Sequence, residues 1–138
     1  MSISAARSLA FDVLLRVLRQ DGYSSELLHS SHAEQLSSAD HGLATELVMG
    51  VLRWRSLLDR HISEASSLKL GKLDLEVLIA LRLGVYQMLY LERIPQRAII
   101  HESVELVKRA RKHSAAPFAN AVLRKVAEAP RAGVRPSH

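Results

Sequence analysis

The densest group of side chains able to contact a ligand is basic: Lys108-Arg109-Ala110-Arg111-Lys112-His113. Its four cations end a helix that the apolar spacing predicts over 97–112. Cations there offset the helix dipole by about 0.3–1 kcal/mol each, and Glu105 lies four residues before Arg109, a spacing that allows an ion pair. One dipole end and one carboxylate do not account for four cations. We therefore expect this cluster to contact nucleic-acid phosphates, the alternative being a purely structural role.

Three further polar residues are candidates for the same contact. Arg7 falls near Leu14 on the apolar side of the first predicted helix. Either its stem covers the core, or its guanidinium meets a phosphate at the edge of the domain. Asn120 and Arg124 are four residues apart on the last helix, away from its apolar face. Asparagine is a poor helix former, so we expect it either to cap a neighbouring loop or to hydrogen-bond to a base edge.

Aromatic side chains could stack on bases, but most are predicted to lie in the core. Trp54, Tyr86 and Phe118 fall on apolar helix faces. Tyr90 is close to a helix end and is open to either role. Arg53 flanks the apolar stripe of its helix, and we expect it to bond to a neighbouring helix rather than to a ligand.

No pattern predicts catalysis or a cofactor. The chain has no cysteine, which excludes disulfides, thiolate metal ligands and a cysteine nucleophile. It has neither a G-x-G-x-x-G string nor a P-loop for a nucleotide. His29 and His32 are three residues apart, but no third ligand accompanies them. We predict that this chain is not itself an enzyme and holds no metal and no cofactor.

Length and hydropathy indicate one globular domain. The 138 residues suffice for one core, and apolar residues make up 48%. We predict a domain over 1–128 and a flexible tail or truncated linker over 129–138. The longest apolar stretch, 75–91, is interrupted by charges, so no membrane partner is expected. The lack of cysteine and of a signal peptide suits the cytoplasm.

The positive charge is uneven along the chain. Residues 1–92 carry 9 Lys and Arg against 11 Asp and Glu, a net charge of −2. Residues 93–138 carry 10 against 3, a net charge of +7. This asymmetry predicts that the second part faces a polyanion, unless its cations only keep the domain in solution.

The elements that would position these residues are all predicted to be helical. Helices are expected over 4–20, 25–36, 39–64, 73–91 and 97–112, and from a Ser114 cap to about 128. The helix over 39–64 is apolar on two sides and the helix over 73–91 almost all round, which predicts central positions. Gly50 and Gly84 lie in the middle of these helices, where glycine costs about 1 kcal/mol relative to alanine. We expect the two helices to cross near these glycines.

Three strings in fixed order resemble a known family. They are ELVMGVLR at 46–53, GVYQMLY at 84–90 and FANAVLR at 118–124. In combination they resemble the NusB-like domain, and most closely the amino-terminal RNA-binding domain of the RsmB-type (Sun/Fmu) rRNA cytosine-5 methyltransferases. The string RIP at 93–95 is similar to that branch. So is Arg124, where an acidic residue is expected in stand-alone NusB.

The resemblance implies an all-α fold, a NusB-like bundle of about six to seven helices in two packed sub-bundles. It implies that the full enzymes transfer methyl from S-adenosylmethionine to carbon 5 of a cytosine in small-subunit rRNA. That chemistry belongs to a separate carboxy-terminal domain with catalytic cysteines, so the implied role of this chain is to bind and orient the rRNA. By position the family's RNA surface would include Arg7, Phe118 and Asn120. The arginine cluster at the start of stand-alone NusB is reduced here to Arg7.

Two other functions stay open. The first is a stand-alone NusB-type transcription antitermination factor that binds boxA-like RNA and a ribosomal protein. The second is a helical protein-interaction module whose basic part docks on an acidic protein surface. The residues predicted to bind RNA are Arg7, Lys108, Arg109, Arg111, Lys112, Phe118, Asn120 and Arg124.

Overall fold

Six α-helices make up the part of the chain that the structure describes. The computed structural model describes residues 3–20 and 36–129. The helices are α1 (Ala5–Gln20), α2 (Ser38–Arg53), α3 (Arg55–Ala65), α4 (Leu75–Tyr90), α5 (Gln96–Arg109) and α6 (Ala116–Glu128), with 3₁₀ turns at Leu70–Lys72 and His113–Ala115. No strand occurs in these residues, and the predicted all-α fold is confirmed. The predicted helix over 25–36 lies almost wholly outside the described residues, as does the predicted tail.

Helix α4 is the centre of the bundle. Every residue from Ile79 to Leu89 is buried, and α4 contacts each of the other helices. Helices α1 and α2 pack on each other and on α4, while α3, α5 and α6 form a second group that also packs on α4. These are the two expected sub-bundles, and they share one helix. A helix buried on all sides needs the nearly uninterrupted apolar sequence that predicted its position.

The predicted long helix over 39–64 is two helices in the structure. Trp54 leaves helical geometry, with φ −103° and ψ 18°. Its N–H still donates to the Gly50 carbonyl at 2.9 Å, and the Leu58 N–H donates to the Trp54 carbonyl at 2.9 Å. The chain therefore changes direction without losing these bonds. The Trp54 ring stacks on Tyr90 of α4, with ring centroids 5.8 Å apart.

Local residues account for the start of α2 and of α6. Ser37 caps α2, and its hydroxyl accepts from the Asp40 N–H at 3.1 Å. Pro117 lies in the first turn of α6, where its missing N–H leaves no bond unmade. The predicted Ser114 cap is wrong, because Ser114 lies inside the preceding 3₁₀ turn and Ala115 occupies the capping position without a side-chain bond.

The two mid-helix glycines both lie in close packing, but against different helices. A side chain at Gly50 would overlap the Tyr86 ring of α4, so α2 and α4 approach each other there as expected. A Cβ at Gly84 would lie 2.8 Å from Ser103 Oγ of α5 and 2.9 Å from Leu123 Cδ2 of α6. The prediction is confirmed for Gly50 and wrong for Gly84, which brings α4 close to α5 and α6 instead of α2.

A largely buried ion pair joins α3 to α4. Arg82 is the one charged residue inside the apolar run of α4, and it is 3% exposed. Its guanidinium donates to both Asp59 carboxylate oxygens, at 2.8 and 3.0 Å. This two-pronged geometry suits arginine and lets α4 carry a charge at its buried face. Among the described helices, none is both long enough and apolar enough to cross a membrane.

Candidate nucleic-acid interface

Helices α5 and α6 form a hairpin with a groove along one face. The connection between them spans only residues 110–115, so the two helices run antiparallel. The groove has a volume of about 480 Å³, and every described residue that lines it belongs to one of these two helices. Part of the basic second half of the sequence therefore lines one concave surface.

The floor of the groove is aliphatic. Ile100 and Val104 of α5 and Ala127 of α6 are half-buried and line it. Ile99 and Val107 of α5 are also apolar, but they do not line the groove. These two are fully buried, whereas Ile100 and Val104 keep one side open to the groove. The apolar stripe of α5 is therefore wider than the part of it that is fully buried in the core.

The rim of the groove carries three cations and two carboxylates, Glu105 and Glu128, and it brings three predicted site residues together. Lys108, Asn120 and Arg124 all line it. Lys108 pairs with Glu105, with 3.4 Å between Nζ and Oε2. Arg124 has no carboxylate within ion-pair distance in the described residues, and the side chain of Asn120 makes no hydrogen bond there.

The sequence interpretation missed two groove residues, Arg97 and His101. Both line the groove from the first half of α5 and both are exposed. Arg97 lies eleven residues and His101 seven residues before Lys108, a spacing that places all three on the same side of a helix. This spacing could have been recognised from the sequence. Glu128 lies at the end of the groove where α5 begins and α6 ends.

Arg7 lies in the interior rather than at the surface. It is 8% exposed, and its Nε donates to Gln87 Oε1 of α4 at 2.6 Å. Its Nη1 donates to Ser4 Oγ at 2.9 Å, and Glu102 Oε2 of α5 is 3.6 Å from Nε. Arg7 therefore joins α1 to α4 and α5. In this arrangement its guanidinium does not face the groove.

Two other predicted cations are paired with carboxylates outside the groove. Arg109 donates to Asp12 Oδ1 at 2.9 Å and to Ser8 Oγ at 2.8 Å, which fastens the end of α5 to α1. Lys112 Nζ is 3.3 Å from Asp74 Oδ2 at the start of α4. Exposed pairs of this kind contribute about 0–1 kcal/mol each to stability. Both cations remain at the surface, but each is already partly neutralised.

Arg111, two residues after the last residue of α5, has an unusual backbone conformation. Its φ is 65°, the left-handed region that favours glycine. Its N–H donates to the Lys108 carbonyl at 2.9 Å, and the Lys112 N–H donates to the Val107 carbonyl at 3.1 Å. This pair of bonds is the Schellman ending of a helix, in which the left-handed residue is usually glycine. The side chain is exposed and has no carboxylate partner among the described residues.

The aromatic residues are placed mainly against the core. Phe118 is half-buried, packs on the hydrophobic core and does not line the groove. Tyr86 stacks on Tyr90 with ring centroids 4.9 Å apart, and Tyr90 in turn stacks on Trp54. Arg53 lies over the Trp54 ring at 5.3 Å, which adds a cation–π contact. The stack ties α4 to the junction between α2 and α3.

Tyr86 has a strongly altered acidity. Burial, together with the nearby Glu46 carboxylate, raises the pKa of Tyr86 to about 12. The Tyr86 hydroxyl lies 3.5 Å from Glu46 Oε2, a distance at which the neutral phenol can donate. Burial also raises the pKa of Tyr90, with Arg53 acting in the opposite direction.

Nothing in the described ranges gathers three side chains suited to bind a metal ion. His29 and His32 lie outside those ranges.

An all-helical bundle with a basic groove has the surface of a domain that binds a polyanion. The chain belongs to the NusB family, whose family model matches residues 4–128. It is 39% identical over 127 residues to the probable ribosomal RNA small subunit methyltransferase B of Bacillus subtilis (strain 168). That match covers 91% of this chain and 28% of the relative, so the chain spans less than a third of the relative's length.

Similarity also extends to antitermination proteins. The chain is 30% identical over 119 residues to the transcription antitermination protein NusB of Geotalea uraniireducens (strain Rf4), covering 83% of this chain and 77% of that protein. Its fold matches a chain in the crystal structure of antitermination factors NusB and NusE in complex with dsRNA, with a TM-score of 0.80 and 27% identity. That match covers 91% of this chain and 95% of the other.

Proposed function

We propose that this chain is the RNA-binding domain of a small-subunit rRNA cytosine-5 methyltransferase. The observation that carries the proposal is the 39% identity to a probable methyltransferase B over nearly the whole chain, with most of that relative's length left over for other functions. The role of the domain is to bind rRNA and to hold a target cytosine for a separate catalytic domain. The proposal includes a cytoplasmic location, where bacterial ribosomes are assembled.

The groove gives this role a physical basis. Arg97 and Arg124 are exposed cations without carboxylate partners in the described part of the chain. A phosphate that binds such a cation releases condensed counterions, which supplies much of the affinity for nucleic acid. Arginine is also suited to phosphate because its guanidinium donates two parallel hydrogen bonds. The concave shape restricts how an RNA strand can lie, and this restriction would orient the substrate.

Methyl transfer belongs to another domain under this proposal. The resembled enzymes use cysteines for catalysis, and this chain has none. It also lacks a glycine-rich string that could hold the nucleoside part of S-adenosylmethionine. We therefore assign that cofactor to the catalytic domain and no step of the reaction to the residues of this chain.

Binding to three RNAs across a salt series tests the proposal. The RNAs are a small-subunit rRNA hairpin, a boxA-like single strand and a scrambled control. We expect the tightest binding to the rRNA hairpin, with affinity falling steeply as salt rises. Arg97→Ala with Arg124→Ala should weaken binding to every RNA and reduce the salt slope by about one per cation removed.

A matched charge control uses Arg55→Ala with Arg60→Ala. Both residues are exposed on α3 and neither lines the groove, so the same loss of charge should leave affinity nearly unchanged. Equal losses in the two double variants would contradict the assignment of the groove. Absence of RNA binding at low salt would refute the proposed function and favour a protein-docking module.

A NusB-type antitermination factor is the second candidate. It is favoured by the match to the Geotalea protein, which covers 77% of that shorter relative. Under this alternative the boxA-like strand would bind more tightly than the rRNA hairpin, and a ribosomal protein would increase the affinity. The same three-RNA experiment therefore separates the two candidates.

A further inference from the structure

We propose that the α5–α6 groove captures one unpaired nucleotide of the bound RNA. Its base lies on the aliphatic floor, its edge bonds to Asn120, and the flanking phosphates contact Arg97 and Arg124. This inference rests on the proposed RNA-binding function and specifies which part of the RNA the groove accepts. Four observations support it: the shape of the groove, its aliphatic floor, the lack of a hydrogen bond to the Asn120 side chain, and the lack of carboxylate partners for Arg97 and Arg124.

The shape and floor of the groove suit a base that has left its stack. The groove lies between two helices and encloses about 480 Å³, enough for a nucleotide but not for a duplex. Its floor consists of Ile100, Val104 and Ala127, whose exposed aliphatic surface can cover the face of a base. Bases inside an A-form helix present their edges in grooves that side chains read poorly, so sequence-specific contacts favour unpaired bases.

Asn120 offers a hydrogen-bonding edge at the wall of the groove. It lies in the middle of α6, where asparagine is less favourable than alanine, and it is half-buried. Its side-chain amide makes no hydrogen bond in the described residues. The carboxamide carries one acceptor and two donors in one plane, the arrangement that pairs with a base edge. A purely structural asparagine would cap a loop, and none of the described loops accepts or donates such a bond.

Not every cation of the hairpin is paired with a carboxylate, and Lys108 in the groove is bonded to Glu105. Arg109 and Lys112, outside the groove, are each paired with a carboxylate. Arg97 and Arg124, on opposite walls, have no such partner in the described residues. Unpaired guanidinium groups on both walls match a strand whose phosphates flank a central base. Glu105 and Glu128 also line the groove, so it is the two unpaired guanidinium groups, and not the net charge of the groove, that favour RNA over an apolar peptide as the occupant.

Hairpins that differ by one nucleotide test the inference. The set has one stem, either fully paired or with a single bulged A, C, G or U, and affinity is measured by fluorescence anisotropy. We expect the preferred bulged RNA to bind about ten-fold or more tightly than the paired stem, with a clear order among the four bases. Asn120→Ala should flatten that order, because the affinities for the four bulged stems should become nearly equal.

Two further variants keep the result interpretable. Asn120→Asp removes both amide donors and should change the order of base preference rather than only weaken binding. Lys125→Ala removes an exposed cation of α6 that does not line the groove, and it should keep the wild-type order of bases. Circular dichroism and thermal melts establish that each variant is folded.

Different binding results would refute base capture and the proposed RNA-binding function. Equal affinity of the wild type for paired and bulged stems, with RNA binding retained, would overturn base capture alone. No binding to any stem at low salt would overturn the RNA-binding function itself. A synthetic acidic amphipathic helix that competes with the bulged RNA and binds more tightly would assign the groove to a protein partner and also overturn the inference.

Discussion

Arg111 keeps a side chain at a backbone position that favours glycine. Left-handed geometry at a non-glycine residue costs about 1–2 kcal/mol, and φ at Arg111 is 65°. The Schellman bonds around it hold the conformation in place. Because the side chain has no partner among the described residues, stability alone does not explain arginine here. Contact with RNA phosphate would explain it.

Arg111→Gly should therefore separate stability from binding. We expect the free energy of unfolding to rise by about 1 kcal/mol, because glycine adopts the left-handed region without a Cβ clash. RNA affinity should fall and the salt slope should decrease by about one. Chemical denaturation and a salt series measure the two effects. Arg111→Ala is the control: it should lose the same affinity without the gain in stability, and an equal gain would refute the backbone explanation.

Tyr86 predicts how stability depends on alkaline pH. The folded protein holds the phenol proton more tightly than the unfolded chain, since the pKa is about 12 against an ordinary 10.0. The stabilisation is complete below pH 10 and is lost as pH rises toward 12, by a total of the order of 2 kcal/mol. Denaturation at a series of pH values measures this loss.

Tyr86→Phe provides the control for that titration, because lysines also deprotonate in the same range. The variant keeps the ring that packs against Gly50 but removes the ionisable hydroxyl. We expect its stability to fall less than that of the wild type between pH 10 and 12. Parallel losses in the two proteins would show that Tyr86 is not the responsible group.

The partners of single residues were the least predictable features. The sequence placed Arg7 on the apolar side of α1, and this is where it lies. Its acceptor, Gln87, is eighty residues further along the chain, and no local pattern connects the two. The choice between a structural and a phosphate-binding role therefore depended on tertiary packing. Asn120, by contrast, could be singled out from the local sequence, because asparagine is a poor helix former and Asn120 lies in the middle of a predicted helix.

At the scale of the elements, α4 is held close to α5 and α6 by the absence of a side chain at Gly84. Gly84→Ala would place a Cβ 2.8 Å from Ser103 Oγ and 2.9 Å from Leu123 Cδ2. We expect a loss of about 1–3 kcal/mol in the free energy of unfolding, because the overpacking outweighs the better helix propensity. Adding Ser103→Ala should restore part of the loss by removing the nearer atom.

Gly42→Ala is the matched control for that substitution. Gly42 lies in the exposed first part of α2 with nothing within 4 Å of its added Cβ. Alanine should therefore stabilise the protein by up to about 1 kcal/mol through helix propensity alone. Thermal and urea denaturation measure both variants. Stabilisation by Gly84→Ala would show that α4 can move away from its neighbours.

Periodicity predicted the helices better than their interruptions. The apolar stripe continues through Trp54 without proline or glycine at the break, so the pattern over 39–64 indicated one helix. The change of direction accompanies the stacking of Trp54 on Tyr90, a contact between distant parts of the chain. For the same reason the stripe of α5 did not show that Ile100 and Val104 border a groove. Hydrophobic periodicity alone does not reveal where the contact with a neighbouring helix ends.

At the scale of the whole molecule, the charge asymmetry of the sequence has a spatial counterpart. Residues 93–129, which the structure describes, carry 8 Lys and Arg against 3 Glu, a net charge of +5, and most of these residues form the α5–α6 hairpin. Composition could predict that this part faces a polyanion. It could not predict that Arg109 and Lys112 would pair with carboxylates from the acidic first part, while Arg97, Arg111, Arg124 and Lys125 have no carboxylate partner among the described residues.

The bend at Trp54 also equips the protein with an optical reporter. Trp54 is the sole tryptophan of the chain, and it is held against Tyr90 where α2 gives way to α3. Its indole emission should change when that junction comes apart. In the described part of the chain the groove is lined by α5 and α6 and not by Trp54, so an RNA that carries its own dye would report occupancy at a second colour. One cuvette can then follow unfolding and ligand release as separate signals.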